Sequence, residues 1–423
     1  MKYLVSGVAV LALTGSGWAQ YQLGQEVGAR VDEQLNPETL SRWSGVPVEV
    51  LANDQQRGLL ETRGSVRLAT PTSDVPVDMT VEYVIHHSLL GGIHWEADLP
   101  TLYVGGPVNL SLTDQMFAGK PLHVSGEMGL SKATGTLLVP ETNWLVEDND
   151  RLSIEAFPVQ FQLELDGDNR LSAYESKAEV PPMHLDGTDV SLLVSGLSWE
   201  HRYEGSPEHL LGQFDLTIHE IRENSSLPVV ASGITNHVET RIATEVASTM
   251  SFGIETINSP LGTMNNLLLQ TSFGGLDGSL TRQLLDQLDD AGQSGDPELV
   301  MEELSRFLEQ HADQWFARAP WFRLDHFRFD QGDEPFIDLS GNLTLQTGQL
   351  PDDFFSVLMK GDAVDSQALM GVLDASVDMA LSQDAIALAT LSNPLMGDLL
   401  ASNGPAISFR ISQGQMTLNG NRL

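Results

Sequence analysis

Glu82, His86, His87, His94 and Glu96 are the side chains of this chain best placed to do chemistry together. On a β-strand Glu82 and His86 share one face and His87 takes the other, because successive side chains alternate. A turn at Gly91-Gly92 brings His94 and Glu96 back toward the histidine pair. Two histidines and a carboxylate meeting in this way form a candidate divalent-metal set, which would serve an exported hydrolase or metal-dependent enzyme. The plainer alternative is three imidazoles on the wet face of a hairpin, binding nothing.

Other acidic groupings carry less. Asp166-Gly167-Asp168-Asn169 opens like a calcium loop, but the sixth position is Leu171 where glycine is needed and the twelfth is Lys177 where glutamate is needed. As a hairpin turn it is complete, since Gly and Asn accept positive φ. Glu147-Asp148-Asn149-Asp150 and the set Asp286, Asp289 and Asp290 could gather a cation weakly; as solvated acidic stretches they need none. There is no Gly-x-Ser-x-Gly elbow, Gly119-Lys120-Pro121 lacks the rest of a phosphate-binding loop, and His219-Glu220 does not continue into a zinc-binding helix. The sequence therefore points to no catalytic residue and no cofactor.

Composition narrows the classes further. The 423 residues carry 58 acidic and 22 basic side chains, a formal net charge of −36, and no cysteine. Such a field repels phosphate backbones, so nucleic acid is excluded as a partner, and it repels anionic headgroups, so a polybasic surface mode is excluded too. Without cysteine there is no disulfide scaffold, thiol nucleophile or zinc-thiolate site. An apolar fraction of 41% is too high for general disorder.

The elements that must position these groups are mostly strands. At the start, Lys2 precedes the apolar run Tyr3 to Ala19, the layout of an export signal. Cleavage after Ala19 is one reading, leaving a periplasmic or secreted protein. A retained anchor is the other: Tyr3 to Gln25 is long enough to span a bilayer, and Leu23, Val27, Val31 and Leu35 continue on one helical face. The expected layout is a signal-anchor or signal peptide over 1–20, a helical connector over 21–45 and a β-rich region over 46–278. A helix pair with further strands over 279–423 completes the same or a second β-rich domain. Within the 46–278 region, Leu122–Leu130, Val159–Leu165 and Phe214–Ile218 alternate with period two, as antiparallel strands with one wet face do. Asp296-Pro297-Glu298 begins a helix, further helices are expected near Asp352–Met359 and before Asn393-Pro394, and Gln413-Gly414 turns a closing hairpin. The aromatic stretch Trp315, Phe316, Trp321, Phe322, Phe327 and Phe329 reads as a junction packed on the sheet, or as a lipid- or partner-binding lip.

Several words of this text stand out: Trp18, Tyr21 and Gly24 near the start, Gln56-Arg57-Gly58-Leu59 in an early strand, and Phe-Ala-Gly-Lys-Pro-Leu at 117–122. Asp-Pro-Glu-Leu follows at 296–299, and Gly414-Gln415-Met416-Thr417-Leu418-Asn419-Gly420 stands in the last strand. Together they resemble the YdgA-like family of bacterial envelope proteins. Where that family has a His-Gly-Pro element, this chain has His87-Ser88-Leu89. The resemblance implies an α+β fold, predominantly antiparallel β as a long curved meander, with an N-terminal membrane helix and a few helices in the last third. It implies a single anchor in the inner membrane with the bulk in the periplasm. The function of that family is uncharacterised; the anchor, the half-buried strands, the lack of active-site words and the resemblance together point to non-catalytic binding, scaffolding or lipid handling, with lipid or other envelope proteins as partners. A looser fold-level analogy joins such proteins to AsmA-like envelope proteins, whose long β-grooves handle lipid.

Overall fold

In the computed structural model the described residues are 35–37, 40–41 and then 47–422 with breaks at 58–60, 71–76, 88–92, 105–109, 130, 146–149, 167–170, 189, 207–208, 293–296, 333, 347–370, 393–399 and 401–403. The expected anchor and nearly all of the connector lie outside them, as do the Gly91-Gly92 turn, Glu147–Asn149, Asp296 and the helix near 352–359. Among the described residues no helix is long and apolar enough to cross a membrane. The fold is predominantly antiparallel β with few helices, as the period-two alternation predicts. The chain forms two compact units, one of Met1–Ser206 with Asp286–Met301, the other of Pro207–Leu285 with Glu302–Leu423.

The first unit holds β1 (Glu49–Arg57), β2 (Glu61–Ala69), β3 (Val77–His87), β4 (Ile93–Val104), β5 (Leu110–Ser111), α1 (Leu112–Met116), β6 (Leu122–Met128) and β7 (Lys132–Val139). It continues through β8 (Thr142–Leu145), β9 (Arg151–Ile154), β10 (Phe157–Leu165), β11 (Leu171–Val180), β12 (Met183–Asp186), β13 (Ser191–Ser195) and β14 (Leu197–Ser206). The main sheet runs β1-β2-β3-β4-β6-β7-β10-β11-β14, every pair antiparallel. The hairpins β8–β9 and β12–β13 leave this order and pair with each other through β9 and β12. Alternation decides the faces: Val77, Met79, Val81, Tyr83 and Ile85 are buried along β3 while the residues between them face outward. α1 starts at Ser111, whose Oγ accepts from Asp114 N at 3.2 Å, and lays Leu112 and Met116 on the same core. Each side chain fully buried there stabilises the unit by about 1.5–3 kcal/mol.

One row of that core is built differently. Trp95, Gly126, Gly135 and Phe161 are consecutive partners across β4, β6, β7 and β10. The two rings close over the glycines from either side, with centroids 6.4 Å apart. A Cβ on Gly126 would collide with the Thr134 carbonyl oxygen and stand 2.9 Å from Trp95 Cζ2. On Gly135 it would run into the Phe161 ring, 2.9 Å from both Cε atoms and closer still to Cζ. Glycine is required here for close approach, whatever strand propensity it sacrifices.

The second unit holds β15 (His209–Asn224), β16 (Val229–Ile242), β17 (Glu245–Ser259), β18 (Gly262–Asp277), most of α2 (Gly278–Gly292) and α3 (Pro297–Trp315), then β19 (Trp321–Gln331) and β20 (Glu334–Leu345). β21 (Leu373–Leu381), α4 (Gln383–Ser392), β22 (Ala406–Ser412), β23 (Gln415–Leu418) and β24 (Asn421–Arg422) complete it. Its strands pair in chain order from β15 to β24, all antiparallel. α2 follows β18 directly: Asp277 Oδ1 accepts from Ser279 N at 3.0 Å and Leu280 N at 3.1 Å, capping the helix. Arg282 ties α2 to the β16–β17 turn by donating to the Ile242 and Ala243 carbonyls, and Trp315 Nε1 of α3 donates to Thr281 Oγ1 at 2.7 Å.

Candidate functional site

His86 and His94 are directly paired between β3 and β4, and their rings stack with centroids 5.9 Å apart. His94 Nε2 lies 3.1 Å from Glu96 Oε1, within the expected set. His86 Nδ1 lies 3.8 Å from Glu61 Oε2, a partner brought in by β2 and not legible from local spacing. Glu82 takes the same face but belongs to the row of Ser65 and Asp98, away from the stacked rings. Asp98 in turn holds His123 Nδ1 at 2.8 Å. His87 lies on β3, and its side chain is outside the described residues. The side chains of His86, Glu61, His94 and Glu96 are all at least 40% exposed. Among the described residues no three His, Asp or Glu side chains gather as a metal set. What the geometry makes is a line of solvated imidazole–carboxylate pairs.

A second feature belongs to the other unit. Along its sheet, one face is polar, carrying pairs such as His237 Nδ1 to Asp215 Oδ1 at 2.6 Å and Arg241 Nε to Glu239 Oε1 at 2.7 Å. The opposite face carries three neighbouring rows without a single ionisable side chain. One begins at Gly212 and ends at Met416, the next runs from Phe214 to Leu418, and the third from Leu216 to Ile407. In the first of these, Phe273, Phe322, Leu343, Ala375, Ile411 and Met416 are consecutive partners from β18 to β23. Phe273 is 40% exposed, Phe322 46%, Leu343 42% and Met416 40%. An uncharged row in which four large apolar side chains are about two-fifths open, with Ala375 and Ile411 half-buried between them, forms a contiguous patch of the kind that marks an interaction surface.

A bulge keeps this face continuous. On β19 the apolar positions Phe322 and Leu324 change parity to Phe327 and Phe329, and a simple strand would send the second pair to the polar side. Two residues, Asp325 and His326, stand where β20 has only Ser340, so both pairs stay on one face. Asp325 Oδ2 accepts from the buried Ser272 hydroxyl at 2.7 Å, fixing the bulge. The aromatic stretch thus divides. Trp315 packs between Phe307 and Phe316 as a junction residue, with ring centroids at 5.5 and 5.1 Å, whereas Phe322 stands in the exposed row.

The sequence landmarks at the end of the chain are conformational. Gln413 and Gly414 have φ of 50° and 72°, and Asn419 and Gly420 have 49° and 79°. These positive pairs make the tight turns between β22, β23 and β24, and Asn419 Oδ1 accepts from Ser408 N at 2.7 Å. Ala118 and Gly119, with φ of 51° and 77°, likewise end α1.

The chain belongs to the bacterial protein family of unknown function DUF945, whose model matches residues 1–423. No curated protein and no solved structure matches it.

Proposed function

We propose that this member of the family is a YdgA-like envelope protein, held at the inner membrane by its N-terminal segment. In this reading it handles lipid without catalysis, by shielding acyl chains on the apolar face of its second unit. The observation that carries the reading is the uncharged, half-open row from Phe273 to Met416. Six strands at about 4.8 Å spacing make a track of about 24 Å, longer than the ~15 Å half-thickness of a bilayer's hydrocarbon core. An acyl chain needs no hydrogen-bond partner and no counter-charge, and the side chains from Phe273 to Met416 supply neither. Each methylene removed from water contributes about 0.8 kcal/mol.

Among the described helices, α3 is joined to α2 by the Trp315–Thr281 hydrogen bond, and α2 is tied to the β16–β17 turn. The row's own exposure shows how much of its surface is still open. The test is protein prepared without detergent from a bacterial membrane fraction, extracted and analysed by mass spectrometry. Bound phospholipid is expected, and Phe322→Asp should remove most of it while the circular dichroism spectrum is unchanged. No phospholipid above a control protein, or equal retention by Phe322→Asp, would overturn the reading. Sequencing the mature N-terminus tests the anchor: a chain beginning after Ala19 would not be held in this way.

A further inference from the structure

The outward face of the first unit's sheet carries a trough that the lipid reading does not use. It encloses about 400 Å3 and crosses five strands, from His94 on β4 to Glu175 and Lys177 on β11. The registers arrange its walls in two rows. One is His94, Glu127, Thr134, Gln162 and Glu175; the other passes through Ser125, Thr136 and Gln160 to Lys177. Its middle lies low because Ser125, Thr134 and Thr136 are short. The ends rise because His94, Glu175 and Lys177 are long. Directly beneath, Trp95 and Phe161 press on the two glycines, so a single layer of backbone separates the core rings from the trough floor.

We infer that this trough binds a neutral, polyhydroxylated ligand, an oligosaccharide of three or four units. The middle of the trough offers hydroxyls and carboxamides, groups that both donate and accept, as sugar hydroxyls require. Four strand spacings give it a length of about 19 Å. An extended peptide is disfavoured because it needs unpaired backbone groups from a sheet edge and pockets for alternate side chains. Here the strand ladders on both sides are already paired. A lipid tail is disfavoured by the polar walls, and a polyanion by Glu127 and Glu175.

The experiment is isothermal titration of the full chain with cellotetraose and with the β-1,4-linked tetramer of N-acetylglucosamine. Binding of at least one is expected. Thr134→Val and Gln162→Leu should each weaken it about tenfold, the equivalent of ~1.4 kcal/mol, with melting temperatures unchanged. Phe322→Asp, in the other unit, should leave it intact. No heat from either sugar at millimolar concentration, or binding indifferent to both trough variants, would overturn the inference.

Discussion

Gly135→Ala is the sharpest single perturbation of this fold, because the structure says which atoms object. The added Cβ runs into the Phe161 ring, which is 8% exposed and held in the core beside Trp95. Overpacking of that kind costs about 1–3 kcal/mol, partly offset by the ~0.5–1 kcal/mol that alanine gains over glycine in a strand. A net loss of up to about 2.5 kcal/mol is expected, or up to roughly 10 °C of melting temperature at 2–4 °C per kcal/mol for a unit of this size. Phe161→Ala alone should cost about 3–5 kcal/mol. If the glycine exists for the ring, the double variant costs at least ~1 kcal/mol less than the two losses added. Gly126→Ala is the contrast: its nearest obstacle is the Thr134 carbonyl oxygen, part of the strand ladder, so Trp95→Ala should not rescue it. The assay is urea unfolding followed by tryptophan fluorescence. Losses at Gly135 and Phe161 that add within ~0.5 kcal/mol would refute the aromatic-over-glycine account.

Three other outcomes are expected. Asp277→Ala removes the cap of α2 and should cost about 1 kcal/mol, read as a lower urea midpoint, with Asp277→Asn recovering most of it. Asp330 is 3% exposed, and hydrogen bonds from Arg328 and Asn266 hold its carboxyl below the ordinary aspartate value. The depressed value means its contribution is complete above the unfolded-state pKa of about 3.9 and is lost as pH falls through the folded value. Melting curves between pH 2.5 and 6 should therefore show a shallower acid limb for Asp330→Asn than for the parent. With a net charge of −36, self-repulsion opposes the compact state; the melting temperature should rise between low and molar sodium chloride as ions screen it, and a flat or falling trend would contradict this.

Local chemistry determined a good deal of this protein by itself. Alternation along Val77–Ile85 and Val159–Leu165 is enough to choose strands and their buried faces, because side-chain direction follows from chain geometry alone. Gln413-Gly414 is enough to turn a hairpin, because few residues accept positive φ. Pro297 is enough to begin a helix. The absence of cysteine already excludes thiolate and disulfide sites. Register is another matter, because it couples residues far apart in the chain. Glu61 as the neighbour of His86, Gly126 and Gly135 as the seats of Trp95 and Phe161, and the bulge at Asp325 all depend on which strand lies alongside which. The apolar row from Phe273 to Met416 is drawn from six strands over more than a third of the chain, and no window of the sequence contains it. Its residues look like ordinary core positions one strand at a time. Only the packed sheet decides that they line up side by side and stay partly open, because pairing sets which residues share a row.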